Sequence, residues 1–263
     1  MNEDRCTDLG HRSYSADRVW DTCQELSRAL TSGQVKDRLG MAAAIGSAVD
    51  DAAKATLAEE PVNVVALLAY YAEEYGSGEP KDADYEKAAA LYRLWCDEVA
   101  DRWLAHGIYG TEVIMHFDVR GVPYHAHVDV ITNDGQVRDL KTSDKRLPEN
   151  AALESPQLTT YAYAFLQEFG ELPSAVALDG LIYANPPKDV TIANPSATKP
   201  WYDRQESTRT LPQLASWESE VGRRQLAIRT AQATGVYQTQ GRFSAYACKG
   251  CVAKASCPSW AGW

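Results

Sequence analysis

The hydrophobic pattern divides the chain into a helical first part and a more strand-rich second part. Four helices are predicted, over about residues 15–30, 35–59, 61–76 and 84–106. Ser15 is a suitable cap for the first of these helices, and Pro61 fits the first turn of the third. The Gly- and Pro-rich segment 76–80 separates the third helix from the fourth.

Strand-like patterns begin at about residue 112. Three strands joined by tight turns are predicted over residues 112–119, 124–132 and 136–142. A helix over 157–169, a strand over 176–183, a loop over 185–200 and a polar helix over 211–233 follow. Because helices and strands are mixed along one chain, the pattern predicts an α/β domain.

Composition and charge narrow the class of protein. The 263 residues, 45% of them hydrophobic, are enough for one substantial core. A net charge of −10 argues against nucleic-acid binding, although carboxylates gathered at a metal site are offset locally by bound cations. No signal peptide is recognisable, and the longest apolar run, residues 64–72, is too short to cross a bilayer, so we expect a soluble, cytoplasmic protein without a membrane partner.

The most informative segment is a predicted hairpin around Asn133-Asp134-Gly135, which suits a three-residue loop with glycine at the left-handed position. This loop sets the register pairs Ile131–Val137, Val130–Arg138 and Asp129–Asp139. Directly opposed residues share a face of the sheet, with Cβ atoms about 5 Å apart. Lys141 lies two residues beyond Asp139 and shares that face. The pattern therefore predicts that two carboxylates and one ammonium converge.

Two carboxylates at that separation repel each other unless a cation binds between them. Oxygen ligands suit Mg²⁺ or Mn²⁺. Such an ion can lower the pKa of a water molecule and stabilise charge on a phosphodiester, and the Lys141 ammonium can assist. The alternative interpretation is a surface hairpin with polar residues near its turn. Apolar residues on both faces favour a buried sheet instead. Charged groups inside such a sheet are costly unless they are paired or bind a ligand.

The helix after the hairpin and the cysteines add two further signals. Gln157 and Tyr161 are four residues apart on one helical face, where they could orient a phosphate, although an ordinary packing helix explains them as well. Three of the six cysteines, Cys248, Cys251 and Cys257, lie close together and indicate a metal site. A fourth ligand is needed, and the candidates are Cys6, Cys23 and Cys96. Spacing alone does not separate zinc from an iron–sulfur cluster.

Together these segments resemble the RecB-like branch of the PD-(D/E)XK nucleases, from about Ser13 to Pro258. They are most similar to its iron–sulfur members, which are the CRISPR-associated RecB-like exonucleases, the AddB nuclease domain and phage relatives. Asp129, Asp139 and Lys141 match the catalytic signature of that family. Gln157 and Tyr161 match the helix motif that follows it. The resemblance implies a restriction-endonuclease-like core in which helices flank a mixed central sheet.

The resemblance also implies a [4Fe–4S] cluster held by Cys23, Cys248, Cys251 and Cys257, with Cys23 preferred over the other two candidates. The implied organisation is a flexible tail (1–12), a helical region with the first cluster cysteine (13–107), the nuclease core (108–235) and a C-terminal iron–sulfur segment (236–263). The cluster would join the two ends of one compact domain.

One departure concerns the metal ligands. The family often has a histidine on the helix after its first cysteine, where this chain has Asp50. An aspartate there can bind the same cation or be a solvated helix residue. The predicted Mg²⁺ or Mn²⁺ ligands are Asp50, Asp129 and Asp139, with Glu112 as an additional acid.

The resemblance implies a metal-dependent DNA exonuclease, acting on single-stranded ends in recombination, repair, phage or CRISPR-adaptation processes. One alternative is a DNA-binding or assembly subunit of a recombination or CRISPR-adaptation complex, in which the cluster is structural and little cutting occurs. Another is a zinc-stapled domain unrelated to nucleases. Basic residues that could contact DNA near the active site are Arg138, Lys145 and Arg146, and a second set is Arg223, Arg224, Arg229, Lys249 and Lys254.

Overall fold

The structure, a computed structural model, describes residues 12–35, 39–184, 200–239, 248 and 251–258. The helices are α1 (Tyr14–Thr22), α2 (Gln24–Thr31), α3 (Met41–Leu57), α4 (Val64–Glu74), α5 (Asp82–Trp95), α6 (Asp101–Ala105), α7 (Ala151–Glu154), α8 (Pro156–Phe169) and α9 (Leu211–Thr234). The strands are β1 (Ile108–Val119), β2 (Val122–Thr132), β3 (Gln136–Ser143), β4 (Ala175–Ile182) and β5 (Trp201–Ser207). Nearly all of the predicted tail and of the predicted loop 185–200 lies outside the described residues.

The chain divides into two compact units. We call them the cysteine unit (Met1–Arg38, Met115–Ala126 and Leu211–Trp263) and the sheet unit (Leu39–Ile114 and His127–Thr210). None of the described helices is long and apolar enough to cross a membrane.

The strands form one mixed sheet in the order β1-β2-β3-β4-β5, which confirms the predicted α/β fold with a mixed sheet and flanking helices. β3 and β4 run parallel, whereas β2–β3 and β4–β5 are antiparallel. Every residue of β4 is buried, which is typical of a central strand. The edge strand β5 was not predicted, because its sequence lacks the apolar alternation of a half-buried strand. In the structure only Trp201 among its residues is buried, as an edge position allows.

The β2–β3 hairpin has the predicted register where the two strands pair. Val130 lies opposite Arg138 and Ile131 opposite Val137. Gly135 has a φ of +77°, the left-handed conformation that the three-residue loop requires.

Helices α3, α4 and α5 pack the main core of the sheet unit, with Leu68, Leu91 and Trp95 fully buried. Helix α3 comes close to β3 because it has a glycine at the contact. A methyl group added at Gly46 would lie 3.0 Å from Thr142 Oγ1. This approach brings the polar residues later in α3 to the face of the sheet that carries the hairpin residues.

Three predicted helices differ in detail. Helix α4 begins at Val64 rather than at Pro61, because the Asn63 side chain accepts a hydrogen bond from the backbone N–H of Ala66 (3.1 Å) and caps it. The predicted fourth helix contains a π-helical turn at Cys96–Ala100 between α5 and α6. The predicted first helix is two helices, α1 and α2, separated by Cys23.

In the cysteine unit the cap of α1 is Ser13 rather than Ser15, since Ser13 Oγ accepts a hydrogen bond from the Ala16 N–H (3.3 Å). Cys23 interrupts the helix with an extended backbone (φ −163°). The buried Asp17 accepts hydrogen bonds from Tyr124 Oη (2.5 Å) and from Arg224 Nη1 (3.0 Å). Arg224, predicted to contact DNA, is therefore engaged in a structural ion pair.

Candidate metal centre

Three carboxylates of the sheet unit meet beside the hairpin. Asp50 on α3, Glu112 on β1 and Asp129 on β2 each offer an oxygen atom, and these oxygens lie within 4.8 Å of one another. Long-range packing gathers them, because the three residues come from three different elements. The sequence predicted Asp50 and Asp129 as ligands of one cation, with Glu112 as an additional acid.

Lys54 is the basic residue among these carboxylates. Its ammonium donates hydrogen bonds to Asp50 and Glu112, and its Nζ lies 3.9 Å from Asp129 Oδ1. The Lys54 side chain is only 10% exposed. Sequence reasoning missed this residue, although its position one helical turn after Asp50 was a signal that could have identified it.

Glu112 reaches the group through an unusual backbone conformation. Its φ is +49°, which residues with a Cβ rarely adopt. Such a residue interrupts the regular alternation of side chains along a strand. Non-glycine residues in this region persist where the surrounding structure holds them, and they are concentrated at functional sites.

Asp139 and Lys141 lie on β3 next to this group. Lys141 Nζ is 2.9 Å from Asp139 Oδ1 and 2.7 Å from Oδ2. Asp129 Oδ2 accepts a hydrogen bond from the backbone N–H of Leu140 (2.9 Å). The Asp129 side chain therefore contacts β3 beyond Val130–Arg138, the last backbone pair between β2 and β3 on this side. Asp139 itself is not a member of the three-carboxylate group.

The excess of negative charge shifts the ionisation of these groups. Burial raises the pKa of Asp139 to about 7, against the effect of Lys141 and with the help of Asp129. Burial and the charge of Asp129 raise the pKa of Asp50 to about 6, although Lys54 opposes this. Burial lowers the pKa of Lys141, but the charges of Asp139 and Asp129 raise it more. The two lysines therefore compensate the carboxylates only in part.

Gln157 and Tyr161 share a face of α8, as predicted, and their side chains contact each other. Gln157 Nε2 donates a hydrogen bond to Tyr161 Oη (2.6 Å). Burial, followed by the charges of Asp139 and Asp129, raises the pKa of Tyr161. The phenol therefore lies in the field of the same carboxylates and stays protonated.

The donor set fits a hard divalent cation. All the candidate ligand atoms are carboxylate oxygens, the type that Mg²⁺ and Mn²⁺ prefer. Asp50 Oδ1 is buried and accepts no hydrogen bond from any described residue, which leaves a lone pair free for a ligand. Burial is the main cause of the raised pKa values of Asp50 and Asp139, and a cation would offset both this cost and the repulsion by Asp129.

The opposite face of β3 carries a second charged cluster. Arg138 is fully buried and donates hydrogen bonds to both carboxylate oxygens of Asp179 (2.9 and 2.8 Å). Trp103 Nε1 (3.0 Å) and Tyr202 Oη also donate to Asp179. The prediction that Arg138 contacts DNA is therefore wrong, because its partner on β4 holds it inside the protein.

A cavity opens beside Lys54 and Glu112. Its volume is about 660 Å³, and α3, the start of α4 and β1 contribute its walls. Glu112 belongs both to the carboxylate group and to the lining of this cavity. Lys54, which donates hydrogen bonds to two of the carboxylates, lines the cavity as well.

The cysteine unit holds Cys23, Cys248, Cys251 and Cys257, all half-buried and without disulfide bonds. Burial, followed by the charges of Cys251, Cys23 and Cys257, raises the pKa of Cys248. In the described part of the chain, no three of these sulfur atoms all lie within 4.8 Å of one another. Of the other candidates, Cys96 lies in the sheet unit and Cys6 outside the described residues.

Comparisons with known proteins give the family and a similar fold. A family model described as the PD-(D/E)XK nuclease superfamily matches residues 23–258. The fold is similar to that of a candidate exonuclease from Eubacterium rectale, with a TM-score of 0.64 and 16% identity over 91% of this chain and 90% of that one. An alkaline exonuclease from Laribacter hongkongensis matches with a TM-score of 0.33 and 11% identity over 86% of this chain and 94% of that one. No curated protein sequence matches significantly.

Proposed function

Because the chain belongs to the PD-(D/E)XK nuclease superfamily, we propose that it is a divalent-metal-dependent DNA exonuclease with Asp129, Asp139 and Lys141 at its catalytic centre. The observation that carries the proposal is the convergence of four carboxylates and one exposed ammonium around the β2–β3 hairpin. Nucleases of this superfamily use divalent metals, and this arrangement contains the oxygen ligands that such an ion needs.

The ligands proposed for Mg²⁺ or Mn²⁺ are Asp50, Asp129 and Asp139, with Glu112 as an additional ligand. A bound divalent cation would lower the pKa of a nearby water molecule and stabilise negative charge on a phosphodiester. Asp50 and Asp139 have raised pKa values, so their ionised forms are costly in the metal-free protein. A bound cation would remove this cost, which favours metal binding.

Lys141 and Tyr161 would act on the substrate. The Lys141 ammonium is 39% exposed and is held in place by Asp139, so it can donate to a phosphate oxygen or to the attacking water. Tyr161 accepts a hydrogen bond from Gln157, which leaves its own hydroxyl proton available to orient a phosphate.

We infer a preference for single-stranded DNA ends, in recombination, repair, phage or CRISPR-adaptation processes, from the resemblance to RecB-like exonucleases. The fold likeness to a candidate exonuclease is consistent with the exonuclease part of this proposal.

The activity test compares end-labelled linear DNA with circular DNA, single-stranded and duplex, in Mg²⁺ or Mn²⁺. The wild type should degrade linear DNA and leave circles intact, whereas Asp139→Ala and Lys141→Ala should be inactive. Lys87→Ala is the matched control, since Lys87 pairs with the exposed Asp144. Equal activity of all four proteins would exclude the assigned centre, and DNA binding without cutting by the wild type would favour an assembly subunit.

We also propose that Cys23, Cys248, Cys251 and Cys257 hold a [4Fe–4S] cluster. After burial, the charges of the other three thiols raise the pKa of Cys248, which supports a common site. A single zinc ion bound by the same four thiolates is the alternative, and the metal content of the purified protein separates the two.

The cluster would connect segments at the two ends of the sequence, so its binding energy would contribute to folding. Anaerobically purified wild type should be brown and contain about four iron atoms per chain. Cys251→Ala should be colourless and poorly soluble, and Cys96→Ala should resemble the wild type. Stoichiometric zinc without iron, or a brown and stable Cys251→Ala variant, would refute the cluster assignment.

A further inference from the structure

The Lys54 ammonium lies among the three carboxylates of the candidate metal site. Its ammonium contacts Asp50 and Glu112 through hydrogen bonds and lies 3.9 Å from Asp129 Oδ1. These three residues are also the group that could hold a metal ion. One side chain of the protein therefore provides, in part, the positive charge that the three carboxylates require.

The ammonium and a divalent cation cannot share this position. Both would be held by the carboxylates of Asp50, Glu112 and Asp129, and two positive charges a few ångströms apart repel strongly at a site shielded from water. The side chain is nearly buried, so solvent screens this repulsion little. A metal ion coordinated by Asp50, Glu112 and Asp129 therefore requires that the Lys54 ammonium leave.

The structure provides space for that movement. The cavity of about 660 Å³ is lined by Lys54 itself. A lysine side chain has a flexible four-carbon stem, so its ammonium can move by several ångströms through rotations of its side-chain bonds. The helix α3 that carries Lys54 can remain where it is.

We propose that Lys54 is a displaceable counter-ion of the metal site. In the metal-free protein its ammonium holds the carboxylates of Asp50, Glu112 and Asp129 together, and a divalent cation displaces it into the adjoining cavity. Lys54 is thus a positioning residue that competes with the metal. This inference rests on the metal site of the proposed function, but it does not depend on DNA cleavage.

The first test is calorimetric titration of the metal-free full-length protein with Mn²⁺. Lys54→Met removes the competing charge, so it should bind Mn²⁺ at least about tenfold more tightly than the wild type. Lys54→Arg keeps the charge and should stay within about threefold of the wild type. Lys87→Met is the control for loss of one lysine charge, and its affinity should be unchanged.

The direction of the change separates competition from a structural role. A variant that only disturbed the packing of α3 would bind Mn²⁺ more weakly, whereas loss of a competitor makes binding tighter. Unchanged or weaker binding by Lys54→Met would overturn the inference. An equal increase in Lys54→Arg would overturn it too.

A second measurement uses the wild type alone and remains valid if Lys54→Met does not fold. Amine acetylation followed by mass spectrometry should show slow modification of Lys54 without metal and at least about threefold faster modification with saturating Mn²⁺ or Ca²⁺, because the ammonium leaves its ion pairs. Lys87 is the internal reference in the same spectra. Unchanged or slower modification of Lys54 would contradict displacement.

Neither measurement contains DNA, so the two proposals can fail separately. A protein that shows the expected response to metal but cuts no DNA would refute the exonuclease proposal and retain the role of Lys54. An active nuclease in which Lys54→Met does not change Mn²⁺ affinity would refute only the role of Lys54. Absence of any Mn²⁺ binding would refute both.

Discussion

Arg138 and Asp139 are neighbours on β3, yet they belong to two charged clusters that the sheet unit stabilises in opposite ways. On one face, Arg138 pairs with Asp179 through two hydrogen bonds, and further donors complete the arrangement. On the other face, Asp139 lies among carboxylates that outnumber the lysines beside them. Both residues are fully buried, so burial alone does not separate a structural charge from a functional one.

The difference lies in how completely each charge is compensated. The Arg138 cluster combines one positive and one negative group in bidentate geometry, which a protein interior can tolerate. The Asp139 cluster retains an excess of negative charge, and burial together with the charge of Asp129 raises the pKa values of Asp139 and Asp50. Negative charge that the protein compensates only in part is typical of a site that binds a cation or a substrate.

The largest expected effect comes from breaking the balanced cluster. Arg138→Met should lower the free energy of unfolding by about 3–5 kcal/mol, because it leaves the buried Asp179 carboxylate without its partner. Chemical denaturation measures this change. Arg204→Met is the control, since Arg204 forms only an exposed pair with Glu206. A loss below about 1 kcal/mol for Arg138→Met would show that the pair is not structural.

The next effect is on catalysis and tests the other face of the strand. Lys141→Met should reduce kcat about 10²- to 10³-fold, because it removes the cation that faces the substrate. Its unfolding midpoint should remain close to that of the wild type, in contrast with Arg138→Met. The distinction between the two faces would be wrong if Lys141→Met kept the wild-type kcat. It would also be wrong if Lys141→Met were destabilised as much as Arg138→Met.

A smaller effect concerns pH in the metal-free protein. The Asp139 pKa is raised to about 7 in the folded state, so the protonated form stabilises the fold at low pH, and this stability is lost as the pH rises through 7. Asp139→Asn removes that loss. At pH 8 the variant should be more stable than the wild type by at least about 1 kcal/mol, and at pH 4 this advantage should vanish.

Thermal unfolding at several pH values, without divalent metal, measures this dependence. Asp144→Asn is the control, because Asp144 is largely exposed and pairs with Lys87. An Asp139→Asn protein that is less stable than the wild type at pH 8 would show that the Asp139 charge is already compensated.

The smallest expected effect concerns the hydroxyl of Tyr161. Tyr161→Phe removes the acceptor of the Gln157 hydrogen bond and a possible phosphate donor, so kcat should fall about three- to tenfold with little change in stability. Steady-state cleavage assays measure it, with Tyr109→Phe as the control at an exposed tyrosine. Unchanged kcat in Tyr161→Phe would restrict Tyr161 to packing.

Local spacing was sufficient for the parts of this protein that depend on neighbours in the sequence. The three-residue loop at 133–135 determines the register of Val130 with Arg138, because turn geometry acts over a few residues. The cap at Ser155 and the shared face of Gln157 and Tyr161 follow from helical spacing in the same way. The family resemblance added Cys23 as the proposed fourth cluster ligand, which cysteine spacing alone had left open among three candidates.

Only the tertiary structure decided which charges meet. Lys54 joins Glu112, 58 residues away, and Arg138 is withdrawn from solvent by Asp179, 41 residues away. No local periodicity encodes such pairs, because they depend on how α3, β1 and β4 pack against β2 and β3. The sequence by itself thus determined the turn and register of the hairpin, because these depend on neighbouring residues. Packing over long separations determined whether each buried charge was compensated or left available to a cation.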